Sequence, residues 1–277
     1  EVEAMRLGSA LVDCYVAILD LKRFELAACD DSALALQDPF ASVIAPEDGS
    51  YVIVVRESSY AGNGGSRYCL HVGEAPRPTI VYPAGGQAGT EIEAKLIGDV
   101  RGDLTQKIKL PATAVGDHDY YLVQAGQSAP SPNKLRVVAF GNVLEAEPNN
   151  GAAEATRTEA PLPLAFNGII EKAGDIDFFR FKAVKGQKFE VRCVARGIRS
   201  PLDPVMTLHN AGGGQIAAND DSGGLDSFIN WTVPADGEHL VAVRDHLGKG
   251  GPEYVYRVEF TPVSADLSLA IPEYARN

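Results

Sequence analysis

Two stretches far apart in this chain are versions of one another, and that repeat constrains the fold more than any other feature. "AACDDSALALQDPFASVIAPEDGSY" (27–51) reappears as "AANDDSGGLDSFINWTVPADGEH" (217–239). The alignment extends outward. "EVEAMRLGSALVD" (1–13) matches "EVRCVARGIRSPLD" (190–203), and "YVIVVRESSYAGNGGSRYCLHV" (51–72) tracks "HLVAVRDHLGKGGPEYVYRVEF" (239–260). The spacing from Asp13 to Asp30 equals that from Asp203 to Asp220. Asp38 then answers Asp226, Asp48-Gly49 answers Asp236-Gly237, and Arg56 answers Arg244. Internal repetition of this kind marks a duplicated structural unit.

The unit reads as β. "YVIVVR", "HLVAVR", "YVYRVEF" and "KFEVRCV" are rich in β-branched and aromatic residues and alternate in part with period two. Asp-Gly and Asn-Gly pairs punctuate them, as tight hairpin turns require. Short strands with frequent turns and no long amphipathic helix predict an all-β fold of tandem β-sandwiches: jelly roll, immunoglobulin-like, jelly roll. The predicted boundaries are 1–73 for a truncated jelly-roll domain, 74–143 for a small sandwich with a Pro-rich entry, and 144–262 for a complete jelly roll. Residues 263–277 read as a linker or the start of a further module. The first copy lacks a counterpart of 145–189. The opening "EVEAMRLGSA" resembles neither a signal peptide nor a natural start, so the chain reads as a fragment with its targeting signal upstream.

Several function classes are disfavoured. A net charge of −12 argues against nucleic acid, whose phosphates need basic patches. No apolar run is long enough to span a bilayer. Four cysteines without C-x-x-C argue against structural zinc. The chain lacks G-x-S-x-G, H-E-x-x-H, Walker and dinucleotide fingerprints, so no enzyme is expected. "GDHDY" (116–120) reads as a solvated loop. "DHLGKGG" (245–251) joins two strands and opens no helix, unlike a phosphate loop. Trp231 and Phe228 read as core rather than as a ligand platform, since Trp231 falls where the first copy has Val43.

The carboxylates carry the candidate chemistry. Asp203 precedes a predicted hairpin and Asp220 and Asp221 follow it, so they should converge, with Asp226 reaching in from the next loop. Asp13, Asp30, Asp31 and Asp38 repeat the pattern. Clustered like charges favour a divalent cation, and calcium takes six to eight oxygens. The alternative is that these residues shape turns and cap backbone N–H groups. The same hairpin brings Cys14 and Cys29 together on its other face, either as a disulfide or as two buried thiols. Cys69 and Cys193 have no obvious partner.

"EAEPNNGAAEA", "AGDIDFFRF", "LDPVMTLHNAGGGQIAANDDSG", "PADGEHLVAVRD" and "EYVYRVEF" together resemble the bacterial pre-peptidase C-terminal (PPC) domain. "PTIVYPAGGQAGTEI" is similar to immunoglobulin-like TIG-type spacers, and the alternation resembles large extracytoplasmic proteins of planctomycete-type bacteria. The resemblance implies export to the periplasm, cell surface or medium, and no catalysis by the module itself. It implies a calcium site built from Glu145, Glu147, Asn149 and Asn150 with Asp175 and Asp177. Two roles follow: a calcium-stabilised spacer, adhesion or targeting array, or modules that bind polysaccharide or fibrous protein beside a secreted hydrolase.

Overall fold

A computed structural model describes residues 1–8, 11–222 and 224–263. Among them the chain is almost wholly β, with 3-10 turns at Met5–Leu7 and Arg196–Ile198. The first group of strands is β1 (Val2–Glu3), β2 (Cys14–Leu19), β3 (Glu25–Cys29), β4 (Val52–Glu57) and β5 (Cys69–Leu70). The second is β6 (Ile80–Tyr82), β7 (Gly85–Gln87), β8 (Glu91–Ile97), β9 (Leu104–Lys109), β10 (Gly116–Tyr120), β11 (Val123–Gln124), β12 (Gln127–Ser128) and β13 (Asn133–Val138). The third is β14 (Asn142–Leu144), β15 (Thr156–Arg157), β16 (Ala165–Ile169), β17 (Ile176–Ala183), β18 (Lys188–Val194), β19 (Pro204–Asn210), β20 (Gln215–Asn219), β21 (Phe228–Thr232), β22 (Gly237–Asp245) and β23 (Val255–Pro262).

The third group is a sandwich of two five-stranded sheets, ordered β14-β16-β23-β18-β21 and β15-β17-β22-β19-β20. Alternation explains the layering. In β17, Phe179, Phe181 and Ala183 are buried at every second position, and β18 buries Phe189, Val191 and Cys193 in the same way. Rings from both sheets interdigitate: Phe181 lies 4.9 Å from Phe260 and 6.0 Å from Trp231, centroid to centroid. Trp231 is 6% exposed, a core residue. The second group forms sheets β6-β8-β9 and β10-β13-β7 around Val81, Leu96, Ile108 and Val137. "GDHDY" is strand β10, paired along its length with β13, rather than the expected loop.

The first group shares its strand register with part of the third, down to its irregularities. Val16 pairs with Cys29 where Met206 pairs with Asn219, and both hairpins shift register after the same residue, Ile18 or Leu208. Cys14 faces Glu57 as Pro204 faces Asp245, and Val2 faces Leu70 as Cys193 faces Val258. Cys29 therefore sits opposite Val16 rather than Cys14, and all four cysteines are free thiols. Among the described residues the first group shows no strands equivalent to β14 to β17.

The groups adjoin through specific contacts. Ile80, Ala84 and Ile97 pack with Val194, Ile198 and Val255 in one buried cluster. Arg136 of β13 reaches Glu259 of β23 at 2.7 Å. Arg77 Nε lies 2.7 Å from Glu1 Oε2, and the same guanidinium donates to Ser131. The tail 263–277 lies outside the described residues beyond Val263.

Candidate metal centre

Among the described residues, Glu145, Glu147 and Asp177 are the acidic residues whose ligand atoms lie within 4.8 Å of one another. Glu145 and Glu147 follow β14, where the chain enters the third sandwich. Asp177 points inward from β17 and is fully buried. Strand pairing draws the sites together: β14 runs parallel to β16, and the Phe178 amide donates to the Asn149 carbonyl. Ile169 N–H donates to Glu145 Oε1 at 2.9 Å and Asn149 N–H to Glu147 Oε2 at 3.2 Å. Tyr256 Oη donates to Asp177 Oδ2 at 2.6 Å. Gly168 is needed here, because a Cβ at that position would overlap Glu145 Oε2 and Tyr256 Oη.

The site is rich in acceptors and poor in donors. Glu145 Oε2 and Asp175 Oδ1 are buried without a hydrogen-bond partner. The Asn149 side-chain atom aimed at the cluster lies 3.2 Å from Asp177 Oδ1 and 3.0 Å from Glu147 Oε1. As nitrogen it donates to both; as oxygen it joins them as another ligand. Burial, and then the Asp177 charge, pushes the Glu145 carboxyl far up from its usual range. Burial, and then the Asp175 and Glu147 charges, raises Asp177 in spite of the Tyr256 hydroxyl. Burial also raises Glu147. Burial and the crowding of like charges thus favour the protonated form of this pair. A set of carboxylates and one amide fits a hard, oxygen-seeking ion such as calcium.

The hairpin carboxylates have other partners. Asp226 accepts N–H bonds from Ala195, Arg196 and Gly197 at 3.0, 2.8 and 3.0 Å, capping the 3-10 turn Arg196–Ile198. Asp38 does the same for Ala4, Met5 and Arg6 at 2.9, 2.7 and 3.2 Å, and pairs with the Arg6 guanidinium. Both were expected as ligands; both act as backbone caps. Asp220 accepts from the Asp221 amide and lies 3.7 Å from His246 Nδ1. Asp203 contributes its carbonyl to the His246 amide. The hairpin mouth is instead tied by Ser227, whose Oγ lies 2.5, 3.0 and 3.2 Å from the carbonyls of Pro204, Asn219 and Asp220. In the first copy Asp13 meets Ser58 Oγ at 2.8 Å. Asp31 is raised by burial and then by Asp13 and Asp30, so these three share one neighbourhood, though not at ligand spacing. Asn150 is exposed beside Asn149.

Asp226→Ala leaves three turn amides unmatched. A loss of about 1–2 kcal/mol is expected, the scale of a lost cap, with calcium heats unchanged. Urea unfolding followed by Trp231 emission, beside calorimetry, checks both.

Residue patterns gave no warning of Gly168 or Ser227 and a single hint of Tyr256. The one available signal was a tyrosine at an inward position of "YVYRVEF", which needs a polar partner when buried. Asp245, at the end of β22, holds the following "DHLGKGG" turn by accepting from the Asp203, Leu247 and Lys249 amides at 3.1, 3.0 and 2.9 Å.

No protein-family model matches the chain. Over 98 residues it is 36% identical to a Deinococcus radiodurans protein described as "Probable subtilase-type serine protease", covering 35% of this chain and 14% of that protein. The chain thus spans a small part of that relative. Among solved structures, the pre-peptidase C-terminal domain of a Bacillus anthracis collagenase aligns at 14% identity and TM-score 0.31, covering 42% of this chain and 100% of that one. A Salmonella Typhimurium periplasmic inhibitor of g-type lysozyme aligns at 20% identity and TM-score 0.27, covering 39% and 99%.

Proposed function

We propose that the chain is a non-catalytic array of β-sandwich modules from an extracytoplasmic protein, and that its third module holds calcium at Glu145, Glu147, Asn149, Asp175 and Asp177. The observation that carries the metal reading is the convergence of Glu145, Glu147 and Asp177, whose ligand atoms lie within 4.8 Å of one another, with Glu145 Oε2 buried and unpartnered. Calcium would supply the positive charge that these oxygens lack, locking the entry segment against β17. The partial likeness to a protein described as a subtilase-type protease supports a module that accompanies a secreted peptidase as spacer, adhesion or targeting unit. No helix among the described residues is long and apolar enough to cross a membrane.

The test is calorimetric titration of the chelator-treated chain with calcium. One saturable event is expected, abolished in Glu145→Gln; absence of heat in the unaltered chain removes the proposal.

The raised carboxyls add a pH signature. In metal-free protein the folded state holds protons that the unfolded state has released above about pH 4. Stability of the third module therefore falls as pH rises beyond that point. Calcium expels the shared proton, so its affinity rises with pH. Titrations in two buffers of different ionisation enthalpy should differ by the heat of that proton; equal heats contradict it.

A further inference from the structure

The connection between the second and third strand groups is short and fully engaged. β13 ends at Val138 and β14 begins at Asn142, so Ala139, Phe140 and Gly141 lie between. Modules that turn freely on one another need a connection whose backbone is solvated and whose side chains pack on neither side. Here Phe140 is 9% exposed and packs with Val138 of β13 and Ala165 of β16. The Ala139 carbonyl accepts from Gln87 Nε2 of the second group at 3.2 Å. The Gly141 carbonyl accepts from the Ala165 amide of the third group at 3.0 Å.

The facing surfaces match in both apolar and polar parts. The buried cluster of Ile80, Ala84 and Ile97 with Val194, Ile198 and Val255 draws on both groups equally. Beside it, Thr79 Oγ1 donates to Glu253 Oε1 at 2.7 Å, and a side chain at Gly98 would run into both residues. Further contacts converge on one guanidinium. Arg257, 0% exposed within the third group, donates to Asn142 Oδ1, Asn167 Oδ1 and Glu259 Oε1 at 2.7, 3.0 and 2.8 Å. Each of these three residues also meets the second group. Asn142 Nδ2 donates to the Gly85 carbonyl at 2.8 Å, the Asn167 carbonyl accepts from Tyr82 Oη at 3.4 Å, and Glu259 Oε2 takes Arg136 at 2.7 Å. Apolar contact alone tolerates sliding, whereas directional partners around a buried charge fix register and orientation. Turning one group on the other would break several of these bonds together.

We propose that the second and third groups form one rigid unit, a fixed-angle bracket whose joint is the Arg257-centred network and the apolar cluster beside it. The unit folds and tumbles as a single body rather than as two beads on a string. This inference stands apart from the metal reading, because no carboxylate proposed as a ligand takes part in the joint.

Two measurements on the full chain test it. Residual dipolar couplings in a weakly aligning medium are expected to fit one alignment tensor for the amides of β6–β13 and β14–β23 together. Two tensors of different magnitude would overturn the proposal. The second measurement reads the third group while altering the second. Ile108 lies in β9, which β8 separates from β6 and hence from the joint, and it is a core residue of the second group. Ile108→Ala is expected to lower the urea midpoint reported by Trp231, which lies in the core of the third group. Separate modules would respond independently, as distant sites do. The expectation holds even where the variant unfolds the second group outright, since the third group then loses its joint. A Trp231 midpoint that does not move overturns the proposal.

Discussion

Replacing Glu259 by Gln is expected to destabilise the third sandwich by about 3–5 kcal/mol, the cost of removing one partner from a buried ion pair. Glu259 sits between two arginines. Arg257 Nε reaches Oε1 at 2.8 Å from a fully buried position, and Arg136 of β13 meets Oε2 at 2.7 Å. Burial alone would raise the Glu259 carboxyl, but Arg136 and Arg257 outweigh it and hold it below its usual range. This contribution to stability is present above the ordinary glutamate range and is lost as pH falls through the depressed value. Arg257 also donates to Asn142 and Asn167 Oδ1 at 2.7 and 3.0 Å, while its Nη2 has no partner. The amide variant leaves this guanidinium buried without its counter-charge, and frees Arg136 from the neighbouring strand group. The chain's single tryptophan, Trp231, lies in the third core, so its emission during urea unfolding reports that module. A shift in midpoint corresponding to less than about 1 kcal/mol would mean that the pair acts as a surface bridge.

Calcium is expected to stabilise the same module by about 2.7 kcal/mol at a hundredfold excess over Kd, raising its unfolding midpoint. Asp177→Asn should reverse the pattern. Without calcium the variant is more stable than the unaltered chain, because one of two crowded buried carboxyls becomes an amide that still accepts from Tyr256. With calcium the variant gains little, because a charged ligand is gone. The crossing of these two responses separates a metal site from a merely acidic one. Thermal unfolding of both proteins in chelator and in calcium measures it. Equal calcium responses would remove Asp177 from the ligand set.

The cap at Asp226 shows how far local pattern carries. Its spacing from Asp220 and its repeat at Asp38 were visible, and so was a choice between cation and capping. The choice turned on where the 3-10 turns Met5–Leu7 and Arg196–Ile198 lie, remote in sequence and adjacent in space. The Cys14–Cys29 question had the same form. The hairpin was legible, but its register placed Val16 opposite Cys29.

By itself, the amino-acid order determined the all-β class and most of the strands and hairpins, because alternation and turn residues act over a few neighbours. Through motif resemblance it also named Glu145, Glu147, Asn149, Asn150, Asp175 and Asp177, of which the structure brings the ligand atoms of Glu145, Glu147 and Asp177 within 4.8 Å of one another. Only the tertiary structure decided which acidic residues cap turns and which lack donors, and it alone revealed Ser227, Tyr256 and the Arg257–Glu259 pair. Those outcomes depend on burial and on partners from distant strands, and neither is encoded in any one stretch of chain.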